Sequence, residues 1–470
     1  MTTTEFTQII SRYERSLVLQ KRKADGVFYT DLSLAKKIVE ELAIPSDAIT
    51  LDPCCGTGSF NYALAKYGVE NIYGADIDKD AIDLCISNIP IGTFVRANSI
   101  EIDSHILLSK LSLSDKVDYV IGNPPYAKWS PSKFISPSFN RKVVSSGNNL
   151  FIAGLIRAME LAKDNGIISY IIPKNFLHVA TYSTLRKEIL NTKTIISIID
   201  IGAYFKNVRG EQIIITLKNS QTVANKFVIK KLLKDSFIKQ IEIDQSFFED
   251  EILLFNNDID FQIYNKLNAY TKLETVCHGY IGRGRSSDTN AIVGKEIRKF
   301  GYKNNVAPVV GNQIFIQNIY SAEAGIIAAF GGNLNAAQTV TILTDGNEKM
   351  CHFILGILHS KLCNFFLYRY CYNYSKLTMH TDAKYLRKIP LPLISDELLE
   401  QITTLVDFLE KVPYMTEVWF NYLRELDNII YIAFDLNENE REYIEKEMKI
   451  IQSKKWSNEF CEKESELFVW

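Results

Sequence analysis

The sequence predicts an α/β fold built on a mostly parallel sheet, followed by a mixed α+β region and a helical C-terminal extension. From about residue 36 to 218, short β-rich runs alternate with helix-like stretches, which is typical of parallel strands covered by helices on both faces. From 227 to 395 this regularity is lost, and loops rich in Gly, Asn and Ser separate short strand candidates. After residue 395 the chain becomes helical and acidic.

The apolar runs and their spacing define the individual elements. Strands are predicted at 49–52, 72–76, 93–96, 117–121, 167–172, 195–200 and 211–217. Helices are predicted between several of them, at 59–67, 79–87, 149–163 and 181–190. The polar stretch KNSQTVANK that follows the last strand is typical of a linker. We therefore predict three domains, at residues 1–222, 223–395 and 396–470.

Composition and charge favour a globular protein with a polyanionic partner. The net charge of −2 conceals an asymmetry, because residues 396–470 carry −10 and the preceding 395 residues carry +8. The first ten residues are polar, and no apolar window of about 18 residues occurs. The eight cysteines contain no CxxC pair. We therefore expect a cytoplasmic protein with reduced cysteines, no membrane contact and no metal site.

The first chemistry-bearing motif is LDPCCGTGSF at 51–60, where a strand runs into a glycine loop and then a helix. Gly56 and Gly58 allow a tight turn and close approach of the backbone to a ligand. The motif is neither a GxGxxG dinucleotide pattern nor a P-loop. Asp52 at the strand end would repel a phosphate but suits a cationic amino-acid moiety, and Asp76 after the next strand suits ribose hydroxyls. The alternative is an ordinary turn of an α/β protein.

The second motif is VIGNPPY at 120–126, an apolar strand that ends in Asn-Pro-Pro-Tyr. Two consecutive prolines fix two φ angles and leave carbonyls pointing outward in a rigid array. The Asn123 amide oxygen and the Pro124 carbonyl can accept the hydrogens of an aromatic amine and so localise its lone pair. Tyr126 offers a flat face for an extruded base. The alternative is a proline-rich turn with a core tyrosine.

In this order the motifs resemble the gamma class of amino-methyltransferases, the TaqI-type DNA adenine methyltransferases of restriction–modification systems. The resemblance implies a Rossmann-like, mostly parallel seven-stranded sheet in a methyltransferase domain, followed by a target-recognition domain. It also implies S-adenosyl-L-methionine as cofactor and N6 methylation of a flipped adenine in a short duplex sequence. Double-stranded DNA is the implied partner. A type II system would add a separate cognate restriction endonuclease.

The resemblance also assigns roles to individual residues. The implied catalytic residues are Asn123, Pro124, Tyr126 and Phe205, the last as a second aromatic that stacks on the flipped adenine. The implied cofactor-binding residues are Phe28, Thr30, Asp52, Pro53, Cys54, Cys55, Gly56, Asp76, Ile77, Asn98, Ser99, Asn123 and Pro125. At Asn98-Ser99 the chain departs from the family, which usually has Asp followed by an apolar residue, although an amide can hydrogen-bond the same adenine ring.

The candidate DNA contacts are Lys128, which follows Asn-Pro-Pro-Tyr, and Arg283 and Arg285, which lie among glycines in the second predicted domain. The arginines are suited to guanine edges or phosphates, and the alternative for each is a solvated charge on a loop.

Three other functions share part of this pattern. A protein glutamine methyltransferase that acts on release factors also uses Asn-Pro-Pro-Tyr, but it lacks a large C-terminal recognition domain and the motif at Phe28–Thr30. Methylation of structured RNA is a second alternative. A non-catalytic DNA-binding module with the same fold is the third, and the intact Asp52, Gly56, Gly58 and Asn123 argue against it.

Overall fold

A computed structural model describes most of the chain in two compact units, Met1–Leu254 and Phe255–Trp470. The described residues are 2–17, 28–131, 135–205, 210–277, 280–304, 306, 310–375, 377 and 379–452.

The first unit is an alternation of helices and strands. Its helices are α1 (Thr3–Ser16), α2 (Leu32–Leu42), α3 (Ser59–Tyr67), α4 (Lys79–Asn88), α5 (Ser104–Lys110), α6 (Pro137–Ser145), α7 (Leu150–Leu161) and α8 (Ser183–Thr192). Its strands are β1 (Ile49–Asp52), β2 (Asn71–Asp76), β3 (Thr93–Arg96), β4 (Val117–Gly122), β5 (Ala162–Pro173), β6 (Thr194–Gly202), β7 (Gln212–Lys218), β8 (Lys226–Leu233) and β9 (Ser236–Asp244).

These strands form a single nine-stranded sheet in the order β3-β2-β1-β4-β5-β7-β6-β8-β9. β7 runs antiparallel to both of its neighbours, and β9 pairs antiparallel with β8, whereas the other pairs are parallel. The seven predicted strands correspond to β1–β7, so the mostly parallel sheet is as expected. The predicted number of seven strands is wrong, because the sheet continues through β8 and β9.

The predicted domain boundary after residue 222 is wrong for the same reason. β8 pairs with β6 from Ser197–Val228 to Asp200–Lys231, and the β8–β9 hairpin belongs to the first unit. Phe227 and Ile229 of β8 and Ile241 and Ile243 of β9 are buried, and the residues between and beside them are half-buried or exposed. That period of two is the pattern of a strand with one covered face, which the lysine-rich composition of this segment obscures.

The order of the strands places the site. β1 has β2 on one side and β4 on the other, so the direction of winding reverses between β1 and β4. In open α/β sheets ligands bind in the crevice at the carboxyl ends of the strands beside such a switch point. Asp52, Asp76 and Gly122 are the last residues of β1, β2 and β4.

The second unit combines small sheets with helices. Its main sheet is antiparallel in the order β10-β16-β13-β15, and two two-stranded sheets pair β11 with β12 and β14 with β17. The strands are β10 (Ile281–Arg283), β11 (Ile297–Arg298), β12 (Gly301–Tyr302), β13 (Gln313–Gln317), β14 (Ile319–Tyr320), β15 (Ala328–Phe330), β16 (Val340–Thr344) and β17 (Met379–His380). The α-helices are α9 (Asp258–Ala269), α10 (Leu273–Val276), α11 (Glu348–His359), α12 (Lys361–Phe366), α13 (Ala383–Leu386), α14 (Asp396–Lys411), α15 (Glu417–Ala433) and α16 (Glu438–Gln452).

The acidic helices after residue 395, predicted as a separate extension, belong to this second unit. α14 packs against α11, where a Cβ on Gly356 would lie 2.6 Å from Ile402 Cγ2. The apolar side of α14 is buried while its acidic residues face outward. The acidic composition led to the prediction of a separate helical extension, but the helical period of three to four residues builds a core face.

Among the described helices, no single one has the length and apolar character needed to cross a membrane. The helical stretches Glu348–His359 and Lys361–Cys371 meet the length and composition test only together, and they are bent by 60°.

A fragment that ends at Leu254 should therefore fold, whereas one that ends at residue 222 should not be stable. The shorter fragment loses the buried side chains of Phe227, Ile229, Ile241 and Ile243. Each contributes about 1.5–3 kcal/mol through burial, and the edge of β6 becomes exposed to aggregation. Thermal unfolding followed by circular dichroism, with light scattering, checks this expectation. Equal melting temperatures for the two fragments would contradict the assignment of β8 and β9 to this unit.

Candidate active site

A cavity of about 770 Å³ opens at the carboxyl ends of β1, β2, β3 and β4. Its wall is formed by the end of α1, the segment Phe28–Thr30, the glycine loop after β1, the turns after β2 and β3, and the loop after β4. The cavity lies wholly within the first unit. Its size and position are those of a site for a small organic ligand.

The glycine loop is held open by backbone contacts to β2. Gly56 N donates to Asp76 Oδ2 at 2.8 Å, and Cys55 N donates to the Ala75 carbonyl at 3.0 Å. Gly56 and Gly58 have φ values of +50° and +85°, in the left-handed region that favours glycine. A Cβ on Gly56 would lie 2.9 Å from the Tyr29 ring. The loop therefore presents bare backbone toward the cavity.

Two carboxyl groups line the cavity, that of the buried Asp52 and that of the half-buried Asp76. The Asp52 side chain accepts from Cys54 N at 3.0 Å, and Asp52 is only 1% exposed. Burial raises the pKa of Asp52 to about 8. Burial also raises the pKa of Asp76, although that carboxylate accepts from Gly56 N and Asp78 N. A cationic ligand would favour the ionised form of both groups.

Gly122 makes room for the Asp52 carboxylate. A Cβ at position 122 would lie 2.6 Å from Asp52 Oδ1, so any other residue here would displace that side chain or the strand. Gly122 directly precedes Asn123. The same glycine therefore joins the acidic wall of the cavity to the Asn-Pro-Pro-Tyr loop.

Two hydroxyl groups of the cavity wall point to a polar ligand. Thr57 Oγ1 and Ser99 Oγ are buried and have no hydrogen-bond partner among the described residues. Buried hydroxyls are normally paired, because a lost hydrogen bond costs about 1–3 kcal/mol. Together with the acidic wall and the glycine cradle, these orphaned groups fit a ligand that has a cationic part and several polar atoms.

Asn123 is fixed by contacts on both ends of its amide. Its Nδ2 donates to the Phe28 carbonyl at 3.0 Å and to Thr30 Oγ1 at 3.2 Å. These two acceptors define which end of the amide is nitrogen, so Oδ1 is held on the opposite side. The segment Phe28–Thr30 therefore orients Asn123 in addition to lining the cavity, a role that its sequence does not reveal.

Tyr126 lies next to Asn123 and not on the cavity wall. Its hydroxyl donates to Asn123 Oδ1 at 2.7 Å and lies 3.2 Å from the Ile171 carbonyl. The half-buried ring stands 5.8 Å from Phe28 and 6.3 Å from Phe151, measured between ring centres. In this arrangement the tyrosine hydroxyl occupies the amide oxygen that was predicted to accept an amine hydrogen.

The structure brings the predicted cofactor residues together. All thirteen line this cavity, and so does Lys128. The cavity wall also contains residues that were not predicted as site residues, namely Tyr13, Tyr29, Thr57, Asp78 and Arg96. Tyr13 donates from α1 to the Asp78 carboxylate, a contact across 65 residues that no local pattern signals. Asp78 follows Asp76 by two residues, and this spacing is the sequence feature that could have indicated Asp78 as a residue of the cavity wall.

Three of the four predicted catalytic residues, Pro124, Tyr126 and Phe205, are not on the cavity wall. Pro124 is a buried residue of the loop after β4. Phe205 lies beyond the end of β6, where its ring contacts Tyr204 at 5.5 Å and packs against a hydrophobic cluster that includes Ile199 and Ile201. It is not among the residues that line the cavity in the described part of the chain.

The candidate DNA contacts are distributed over both units. Lys128 is exposed at the cavity. In the second unit, Arg283 is paired with Asp382 at 2.9 Å, and Arg285 is exposed with its guanidinium 5.8 Å from the centre of the Tyr280 ring. Within the described residues, one group has metal-type spacing, His352 with Asp407 and Glu410 in the second unit, where the imidazole lies 3.6 Å from Glu410.

The N-6 DNA methylase family model matches residues 8–271, which is more than half of the chain. The type II methyltransferase M.VspI of Vibrio sp. (strain 343) is 29% identical over 197 residues, covering 41% of this chain and 48% of that protein. The modification methylase CviBIII of Paramecium bursaria Chlorella virus NC1A is 25% identical over 195 residues, 40% of this chain and 48% of its own length. The chain thus spans about half the length of these relatives.

Similarity to a solved structure extends over both units. The type IIL restriction–modification enzyme MmeI, determined in complex with DNA, superposes with a TM-score of 0.50 at 11% identity. The superposition covers 96% of this chain and 79% of that one. At this identity the likeness shows the fold, and it covers nearly the whole chain.

The buried Asp52 should make the protein less stable as pH rises. Its pKa is about 8 in the folded chain and about 3.9 when unfolded, so ionisation opposes folding between those values. Asp52→Asn cannot ionise, and its stability advantage should grow by at most about 1.4 kcal/mol per pH unit up to pH 8. Denaturant unfolding from pH 5 to pH 9 measures this difference, with the exposed Asp47→Asn as control. A pH-independent difference for Asp52→Asn would show that this carboxyl is not desolvated.

Proposed function

The chain belongs to the N-6 DNA methylase family, and we propose that it methylates N6 of adenine in a short duplex DNA sequence. S-adenosyl-L-methionine is the proposed methyl donor, and the modification half of a type II restriction–modification system is the proposed biological role. The gamma-class order of the motifs supports this assignment. A DNA substrate agrees with the expected cytoplasmic location. The observation that carries the proposal is the fixed Asn123 amide at the rim of an acidic, glycine-lined cavity.

The cavity residues suit S-adenosylmethionine. When bound, this cofactor supplies an electrophilic methyl group on a sulfonium. The Asp52 and Asp76 carboxylates match a ligand with cationic groups and hydroxyls, and Thr57 Oγ1 and Ser99 Oγ offer unused hydrogen-bonding capacity. The exposed Ile77 side chain, 59% accessible, offers an apolar surface for a purine ring.

Asn123 and Pro124 supply the acceptor chemistry. The lone pair of an adenine amino group is delocalised into the ring, which makes it a weak nucleophile. Two oxygens that accept its hydrogens localise the lone pair without needing a strong base. The Asn123 amide is preorganised for this task because Phe28 and Thr30 already fix its nitrogen end. No reorganisation of the amide is then required when the amine arrives.

Tyr126 has to release Asn123 before the adenine binds. Its hydroxyl hydrogen occupies Asn123 Oδ1, so the incoming amine replaces one hydrogen bond by another. We expect the freed ring to stack on the extruded base, since a paired adenine cannot reach a methyl group inside a protein pocket. The role of Phe205 as a second stacking face requires its segment to rearrange when DNA binds.

The second unit, from Phe255 onward, is the proposed target-recognition part. Its small antiparallel sheet presents the loop that carries the exposed Arg285. Arg283 would first have to exchange its ion pair with Asp382 for a phosphate or a base edge. A separate restriction endonuclease would act on the same sequence. Which bases are read depends on these loops.

The decisive experiment expresses the chain in a host free of DNA methylation and maps modified bases in its DNA. We expect N6-methyladenine at one short sequence. We also expect Asn123→Ala to abolish the modification, with a loss of turnover of at least about a hundredfold, because the oriented acceptor is gone. If adenine stays unmodified in the host with the wild-type protein, a protein glutamine amide or an RNA base amine becomes the better acceptor. Normal turnover by Asn123→Ala would sink the mechanism.

Substitutions at Tyr126 should separate the contribution of the aromatic ring to methyl transfer from that of the hydroxyl group. Tyr126→Phe keeps the face and frees Asn123 Oδ1, so methylation should proceed at least as fast as in the wild type. Tyr126→Ala removes the face and should slow transfer by about 5- to 100-fold. Single-turnover methylation, together with fluorescence of 2-aminopurine at the target position, distinguishes these effects. A loss in Tyr126→Phe as large as in Tyr126→Ala would show that the hydroxyl itself is needed.

A further inference from the structure

Helix α7 is joined at its N-terminus to the loop that follows Asn-Pro-Pro-Tyr. Leu150 N donates to the Ala127 carbonyl at 2.8 Å, and Asn149 Nδ2 donates to the Tyr126 carbonyl at 3.3 Å. Trp129 N donates to the Asn148 carbonyl at 3.0 Å. The start of the helix and the loop therefore move as one piece.

One turn further along, Gly154 of α7 lies directly against Pro124. The glycine is buried in mid-helix, and a Cβ there would lie 2.8 Å from Pro124 Cβ. Real Cβ atoms almost never approach a neighbour so closely, and a proline ring cannot rotate away. Glycine inside a helix costs about 0.5–1 kcal/mol relative to alanine, which points to a requirement for this close contact.

Arg157, three residues later, reaches the opposite wall of the cavity. It is 4% exposed, and its Nη2 donates to the Ile100 carbonyl at 3.1 Å. Its guanidinium lies 4.3 Å from the centre of the Phe139 ring and is paired with Glu160. Ile100 directly follows Asn98 and Ser99 and lines the cavity with them. The buried guanidinium thus ties α7 to the loop after β3.

We propose that α7 sets the distance between the methyl-acceptor loop and the cofactor pocket, with Gly154 and Arg157 as positioning residues. This inference rests on the proposed function. Gly154 fixes the depth of Pro124, whose carbonyl is one of the two amine acceptors. Arg157 fixes the Ile100 carbonyl and hence the wall formed by Asn98 and Ser99. Three residues of helix correspond to a rise of about 4.5 Å, so one rigid turn links the two contacts.

The Gly154 contact is tested in the full chain by Gly154→Ala. Alanine must push Pro124 outward, and we expect turnover on DNA to fall by about tenfold to a hundredfold. The KM of Gly154→Ala for S-adenosylmethionine should stay within about twofold of the wild-type value. The control is Gly346→Ala, whose added Cβ meets nothing within 4 Å and which should leave turnover unchanged. Wild-type turnover by Gly154→Ala, with an unchanged KM, would overturn this half of the proposal.

The Arg157 contact is tested by calorimetry with S-adenosylmethionine, which requires no DNA. We expect Arg157→Met to weaken the binding of S-adenosylmethionine by about tenfold and Arg157→Lys to restore part of the lost affinity. The kcat of both variants at saturating cofactor should change by less than about threefold. The control is Arg186→Lys, because Arg186 is equally buried but bonds to Asp250 and the Phe176 carbonyl away from the cavity. A loss of affinity in Arg186→Lys as large as that in Arg157→Met would make the role merely structural.

These outcomes separate the proposal from the proposed function. If the wild type binds S-adenosylmethionine but methylates no DNA, the function fails while the affinity of Arg157→Met still decides the positioning role. If the wild type methylates adenine and all three variants at 154 and 157 behave as wild type, the function stands and the role of α7 is refuted.

Discussion

The parallel pairing of β1 with β4 is the constraint on which the rest of the site depends. Thr50 pairs with Tyr119 and Leu51 with Val120, so the ends of two strands that lie 70 residues apart in the chain stand side by side. This register sets Asp52 against Gly122 and carries Asn123 to the rim of the cavity. A slip of one residue would turn these side chains to the opposite face of the sheet. Both cofactor binding and acceptor chemistry therefore depend on one strand pair.

The site is built at a cost to the stability of the empty protein. Asp52 is almost completely buried with a pKa of about 8, and the pKa of Asp76 is also raised by burial. Thr57 and Ser99 keep buried hydroxyls without partners among the described residues. Each of these features opposes folding when the cavity holds only solvent. A cationic, polyhydroxyl ligand offsets all of them at once, which explains why they occur together in this cavity.

The acceptor side follows a different principle, in which groups are paired until the substrate arrives. The Asn123 amide has partners on both ends, and the one on its oxygen comes from Tyr126. In the proposed mechanism, an adenine amine replaces that hydroxyl with little change in the number of hydrogen bonds, so the step is close to neutral in free energy. On the proposed role of helix α7, the contact between Gly154 and Pro124 keeps the loop at a constant depth during this exchange.

Strands β1–β7, the glycine loop and the Asn-Pro-Pro-Tyr loop could be predicted from the amino-acid sequence, because hydrophobic period and turn chemistry are local properties. The family resemblance named thirteen residues as cofactor-binding, and all thirteen are among the residues that line the cavity. Three features required the three-dimensional structure: β8 and β9 extend the sheet, the acidic helices join the second unit, and Phe205 lies away from the cavity. It alone showed Tyr13 on Asp78, Tyr126 on Asn123 and Gly154 on Pro124. These contacts join separate elements, and their partners are chosen by strand order and helix packing rather than by any local sequence pattern.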